Sequence, residues 1–223
     1  MRSYDQYCGL AQALDHAGDR WTLLIVRELL LGQKRFSDLA SALPGIATNL
    51  LTARLRSLEA DGLAQRVRAP APGAPQVYEL TDAGEGLRPA VMALIRWGGR
   101  WMAPRPPGLA FRPEWLALAI TALAPPDSLS AAAVWEFVTE GHRARVRVGS
   151  GTVRSELAST DPPDLVISGE AGSILATAAG IRSLDDELAA GRLRLDGSND
   201  ARETFRLIAT PAPAVDAARR SSS

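Results

Sequence analysis

Thr48, Asn49, Thr52 and Arg56 crowd into one short segment, interleaved with Leu51, Leu55 and Leu58. Short polar groups and a guanidinium along one edge suit hydrogen bonds to the edges of nucleotide bases. Asparagine can make two bonds to adenine and arginine two to guanine. Lys34, Arg35 and Ser37 precede this segment, and Arg66 and Arg68 follow it two residues apart. Side chains so spaced leave the same side of an extended strand, and their charges suit phosphate oxygens or an adjacent minor groove. Catalytic chemistry has no such cluster. The two histidines, His16 and His142, lack neighbours at metal-ligand or triad spacing, and His142 follows Gly141 where a hairpin turn is expected. No acid–base pair can be placed, so neither an enzyme nor a cofactor or metal site is expected.

The polar edge needs a scaffold. Leu51, Leu55 and Leu58 repeat at helical spacing across Thr48–Ala60, with Gly62 past the end. Upstream, Cys8–Ala17 reads as a first short helix. A second carries Trp21, Leu23, Leu24, Ile25, Leu29 and Leu30, with Asp19 placed to cap it and Gly32 to stop it. Ser37–Leu43 reads as a third, and Pro44-Gly45 makes the turn. Leu63–Arg68 and Gln76–Leu80 read as strands around the tip APAPGAP, where proline and glycine preclude regular structure. Thr81 introduces one more helix, with Leu87, Val91, Leu94, Ile95 and Trp101 as its apolar positions and Pro89 as its start or kink. Helices followed by a two-stranded hairpin make a winged helix-turn-helix, which places its reading helix in the DNA major groove.

Composition permits this without requiring it. The formal net charge is +0 over 223 residues, but residues 1–105 hold 13 Lys/Arg against 10 Asp/Glu, and residues 106–223 hold 12 against 15. The sign of that asymmetry suits a DNA reader in the first half. A single cysteine, Cys8, precludes an internal disulfide. No signal-like segment and no apolar run of spanning length is found, so a cytoplasmic chain without a membrane partner is expected.

The pieces GDRWTLLIVRELLLG, RFSDLASALPGIATNLLTARLRSLEADGL and YELTDAGEGL, followed by Trp97, resemble the HxlR family of bacterial winged-helix transcription regulators over residues 8–102. The resemblance implies a homodimer on a palindromic operator, joined through the first helix and the helix ending near Trp101. Two positions depart from the family pattern. Cys8-Gly9 stands where Cys-Pro is common. Ala47-Thr48 stands where Ser then Pro often opens the reading helix, leaving Thr48 to supply the cap. Some members sense oxidants or electrophiles through a cysteine near the N-terminus, where Cys8 lies. A reactive thiol needs exposure and a lowered pKa, and the alternative is a small apolar residue at a helix start.

A Pro-rich stretch, APRPPGLAFRP (residues 103–113), reads as a linker. Beyond it lie a short apolar helix, Glu114–Leu123, and strands at Val134–Thr139, Arg143–Val148, Thr152–Ala158 and Asp164–Ser168. Helices are expected at Ser173–Ala179 and Leu184–Ala190, a strand at Arg192–Leu195, and a helix at Ala201–Ile208, before a disordered tail ending in ARRSSS. This order, and the piece AAGRLRLDGSNDARETFRLI in particular, resembles the sterol-carrier-protein-like fold. The resemblance implies an apolar tunnel, which Trp115, Trp135, Phe137, Leu175, Leu188 and Phe205 could line; the alternative is that they fill a solid core.

The expected fold class is therefore α+β, with a winged helix-turn-helix and dimerisation domain at 1–103 and a mixed α/β, sterol-carrier-protein-like domain at 113–212. The expected function is a homodimeric regulator, a repressor rather than an activator, that binds double-stranded DNA and responds to a small apolar ligand. Two alternatives stand beside it. One is a redox switch through Cys8 with a purely structural second domain. The other is a lipid-like carrier with a degenerate winged helix.

Overall fold

The computed structural model describes residues 3–68, 75–101, 110–123, 132–150, 152–155 and 162–209. They fall into two compact units that divide between Leu94 and Ile95. That division lies inside a helix and ahead of the Pro-rich stretch.

The first unit opens with four helices, α1 (Gly9–Ala17), α2 (Thr22–Leu30), α3 (Phe36–Ala42) and α4 (Thr48–Ala60). A hairpin of β1 (Ala64–Arg68) and β2 (Gln76–Leu80) follows. Then come α5 (Asp82–Glu85), α6 (Arg88–Gly98) and a 3-10 turn at Gly99–Trp101. Ile25, Leu29 and Leu30 of α2, Leu39 of α3, and Leu51, Leu55 and Leu58 of α4 are sealed from solvent. Burying each such side chain contributes about 1.5–3 kcal/mol relative to leaving it exposed, which outweighs the short helices' weak intrinsic stability.

Local geometry corrects three details of the sequence reading. Asp19 does not cap α2 with its side chain: Trp21 occupies the cap, the Asp19 carbonyl accepts from the Thr22 amide at 3.1 Å, and its carboxylate is ion-paired with Arg54. Thr48 does not cap α4, because Ala47 occupies that position and Thr48 is already helical, its carbonyl accepting from the Thr52 hydroxyl at 2.9 Å. The helix expected after Thr81 is two helices. Thr81 caps the first by accepting from the Gly84 amide at 3.2 Å. The second restarts at Arg88, with Pro89 in its first turn, where a missing N–H costs nothing. Gly84 is needed there, since a Cβ would stand 1.9 Å from the Leu63 carbonyl oxygen. The tip APAPGAP lies outside the described residues except for Pro75.

The second unit holds α7 (Pro113–Leu123), β3 (Ala133–Thr139), β4 (His142–Gly149), β5 (Thr152–Ser155), β6 (Leu165–Gly169), α8 (Ala171–Ala178), α9 (Leu184–Ala189), β7 (Leu193–Gly197) and α10 (Asn199–Ala209). The strands form one sheet in the order β5-β4-β3-β6-β7, with β3 and β6 parallel and the other pairs antiparallel. Residues 156–158 of the expected third strand, and the tail, lie outside the described residues. His142 is not in the turn; it is the exposed first residue of β4, paired with Thr139. Trp135 and Phe137 of β3, Val146 and Val148 of β4, Ile167 of β6 and Phe205 of α10 fill the core, and Trp135 meets Phe205 edge to face with centroids 5.9 Å apart.

Glu187 of α9 is buried and accepts from Arg192 Nε at 2.9 Å and Nη2 at 2.8 Å, with Arg182 at 3.5 Å. Hydrogen bonding from Arg192, against the cost of burial and with help from Ser173 and the charge of Arg182, holds its carboxyl at a pKa of about 2. A depressed carboxyl adds stability above its unfolded pKa of about 4.3 and loses it as pH falls through the folded value. The difference in melting temperature between the unaltered chain and Glu187→Gln should therefore be largest above about pH 5 and shrink toward pH 2. A difference independent of pH across that window would show that the carboxylate is not held this way.

Candidate nucleic-acid interface

The apolar side of α4 decides where its polar side points. With Leu51, Leu55 and Leu58 sealed in the core, Thr48, Asn49 and Arg56 are exposed and Thr52 is half-buried beside them. Arg56 has no ion-pair partner among the described residues. Asn49 turns its Oδ1 toward the amide of Leu50 at 2.9 Å, and its side chain remains exposed.

The elements beside α4 supply charge. Arg35 and Ser37 are exposed at the start of α3. The Arg35 amide donates to Asp38 Oδ2 at 2.9 Å, which secures that helix start and leaves the guanidinium outside. Lys34 is only 8% exposed, so it is the least available of the set. Its backbone bridges Tyr78 in both directions, at 3.0 and 2.7 Å, and so ties β2 to the loop before α3. Arg66 and Arg68 are exposed along β1, with Val67 between them. Arg66 is already engaged, lying 3.0 Å from Glu59 and 5.1 Å from the centre of the Tyr78 ring. That fixes its direction and links the end of α4 to the hairpin.

Three positioning residues were not legible as such in the sequence. Glu59 and Tyr78 aim Arg66, and Asp19 draws Arg54 toward the turn before α2. A charged helix face predicts solvated side chains, and only the tertiary packing brings Asp19 within reach of Arg54.

Cys8 occupies the N-cap of α1 and is exposed. The backbone N–H groups of Ala11 and Leu10 hold its thiol below the usual value.

The HxlR-like helix-turn-helix family model matches residues 16–106. The YvaP regulator of Bacillus subtilis, an uncharacterized HTH-type transcriptional regulator, is 37% identical over 93 residues, covering 42% of this chain and 86% of that relative. The chain belongs to the HxlR-like helix-turn-helix family. A second relative, the uncharacterized HTH-type transcriptional regulator Rv3095 of Mycobacterium tuberculosis, is 42% identical over 99 residues, covering 44% of this chain. The chain spans 61% of that relative's length. Among solved structures, the reduced form of the transcriptional regulator YodB from B. subtilis is 27% identical, with 45% of this chain and all of that chain covered at a TM-score of 0.39.

The division of labour along α4 has a measurable consequence. Leu55→Ala should cost about 2–5 kcal/mol of unfolding free energy. Arg56→Ala and Asn49→Ala should each stay within about 0.5 kcal/mol, as substitutions at exposed positions do. Denaturant titration of the three variants checks this, and a large loss at Arg56 would mean that its side chain holds the fold together.

Proposed function

We propose that this chain is a homodimeric transcription regulator that binds double-stranded DNA through α4, the start of α3 and the hairpin, and responds to a small apolar ligand held in its second unit. The observation that carries the DNA reading is the exposed polar edge of α4, set by the sealed leucines behind it. Thr48, Asn49, Thr52 and Arg56 contact base edges in this reading. Arg35, Ser37, Arg66 and Arg68 contact phosphate, with Lys34 in a lesser role because of its burial. Family membership supports it, and repression is the expected direction of control.

Exposed apolar side chains support the dimer. Tyr7, Leu10 and Leu14 are open on and just before α1, as are Leu94 and Trp97 on α6 and Trp101 beyond it. Trp97 and Trp101 pack edge to face at 4.5 Å and present one aromatic ridge. Large exposed apolar groups gathered on two helices favour burial against a second copy. Two reading helices about 34 Å apart would then meet half-sites one turn apart, and a small rigid shift would weaken binding.

The ligand reading belongs to the second unit and its likeness to the sterol-carrier-protein-like fold. Trp115, Leu175 and Leu188 are half-buried, whereas Trp135, Phe137 and Phe205 are sealed. The indole Nε1 of Trp135 and the hydroxyls of Thr139 and Thr177 are buried without a hydrogen-bond partner among the described residues. An unpaired buried donor costs about 1–3 kcal/mol, so an apolar molecule carrying an acceptor oxygen would be favoured. The cleft of about 590 Å³ lined by Ile181, Arg182, Ser183, Asp186, Glu187 and Arg192 is too polar for the apolar part of such a ligand.

Cys8 favours a second reading, a thiol switch, because it is both exposed and lowered in pKa. In a selected operator fragment, Arg56→Ala should weaken binding by about 1–3 kcal/mol and relax base preference at one position. Unchanged affinity and preference would remove α4 from the reading role. Release of that fragment by the apolar molecule extracted from the purified protein should survive Cys8→Ser. Loss of the response in Cys8→Ser, with release by diamide in the unaltered chain alone, would instead establish the switch.

A further inference from the structure

Glu79 stands in the middle of a row of three side chains that crosses the base of the hairpin. On one side β2 pairs with β1, where Gln65 is opposite Glu79. On the other side lies the antiparallel backbone bridge between Lys34 and Tyr78, closed by bonds of 3.0 and 2.7 Å. That register sets Gln33 beside Glu79. Residues opposite one another across antiparallel strands project to the same side of the sheet. The hydrogen bonds follow: Gln33 Nε2 donates to Glu79 Oε2 at 2.6 Å, and Gln65 Nε2 donates to Oε1 at 2.9 Å. One carboxylate therefore ties three segments together, the loop into α3, β2 and β1.

The other face of the hairpin carries Arg66 and Arg68, with Arg66 over Tyr78 and against Glu59. That tie uses a cation that phosphate would claim, so DNA competes with Glu59 for Arg66. The Glu79 row uses two neutral amides, and DNA binding draws no cation from it. The charge of Glu79 itself repels phosphate, so any gain it brings to DNA binding comes through what it holds. A hairpin of two five-residue strands is marginally stable by itself. It needs fastening to the helical body before it can hold two guanidiniums in a fixed place.

We propose that Glu79 is a positioning residue for DNA binding. With Gln33 and Gln65 it clamps the hairpin to the loop before α3, so that Arg66 and Arg68 reach phosphate on the same duplex that Arg35 and α4 engage. The inference rests on the reading of the chain as a DNA binder through α4, the start of α3 and the hairpin. It requires no contact between Glu79 and DNA.

The test uses the full chain and the selected operator fragment, with affinity measured between about 50 and 200 mM salt. The paired substitution Gln33→Ala with Gln65→Ala leaves every charge in place. It should weaken operator binding about 5–30-fold. It should also flatten the slope of log affinity against log salt by about 1–2, since each lost phosphate contact removes about 0.9. Partial unfolding would lower the active fraction but leave that slope alone. Glu79→Ala should flatten the slope in the same measure. Glu79→Gln keeps an acceptor oxygen for one amide and should flatten it less. An unchanged slope in the paired glutamine variant overturns this inference alone. So does tighter binding by Glu79→Ala, which would mark the carboxylate as a repelling charge only. No salt-dependent binding of any duplex by the unaltered chain overturns the DNA reading and this inference together.

Discussion

The burial of one leucine stripe orients everything the first unit can present. Leu51, Leu55 and Leu58 seal one side of α4 into the core, with α4 packed beside β1, and a helix rotated by even one residue would turn about 100° and carry Arg56 toward the core instead. The polar edge is thus fixed by what lies beneath it. The hairpin is fixed by the same core: Ala64 is buried at the start of β1, Tyr78 is bridged to Lys34, and Arg66 is held over Tyr78 and against Glu59. Removing the stripe would cost more than stability, since helix, hairpin and the start of α3 would lose their common reference.

The second unit is built on a different balance. Its aromatic core is sealed, but two carboxylates, Glu136 and Glu187, are buried among arginines. Each is held below its usual pKa, chiefly by hydrogen bonds from an arginine, which outweigh the cost of burial. These pairs fasten neighbouring elements. Glu136 joins β3 to β4, and Glu187 joins α9 to the residue that leads into β7. Breaking one partner would leave an uncompensated buried charge, which is why such pairs specify register as well as contribute stability.

The sequence pattern located most elements because short, strongly punctuated segments leave few choices. The bounds of α4 and β2 match the expected ones, since Gly62 and Thr81 end one element and begin the next. The caps were less legible. Asp19 and Thr48 are residue types that favour caps, yet the Asp19 carboxylate pairs with Arg54 two residues ahead of the cap that Trp21 occupies, and Thr48 falls one residue inside the helix that Ala47 opens. Lys34 carries a charge that reads as exposed, while its backbone bridge to Tyr78 draws the residue into the hairpin junction. Such outcomes depend on partners many positions away, which local propensity does not register.

What the amino-acid order determined by itself was periodicity: helical spacing of leucines at 51, 55 and 58, alternation of arginine with apolar residues at 66–68 and 143–148, and the glycines and prolines that separate them. Periodicity assigns each side chain to a face. Which faces are open, and which charges meet, was decided only by tertiary packing. Arg147 and Arg154 became opposite neighbours through strand register, and Arg54 found Asp19 through the fold of four helices. The physical reason is range. Backbone propensity and side-chain alternation act over a few residues, whereas burial and ion pairing act between any groups that folding brings into contact.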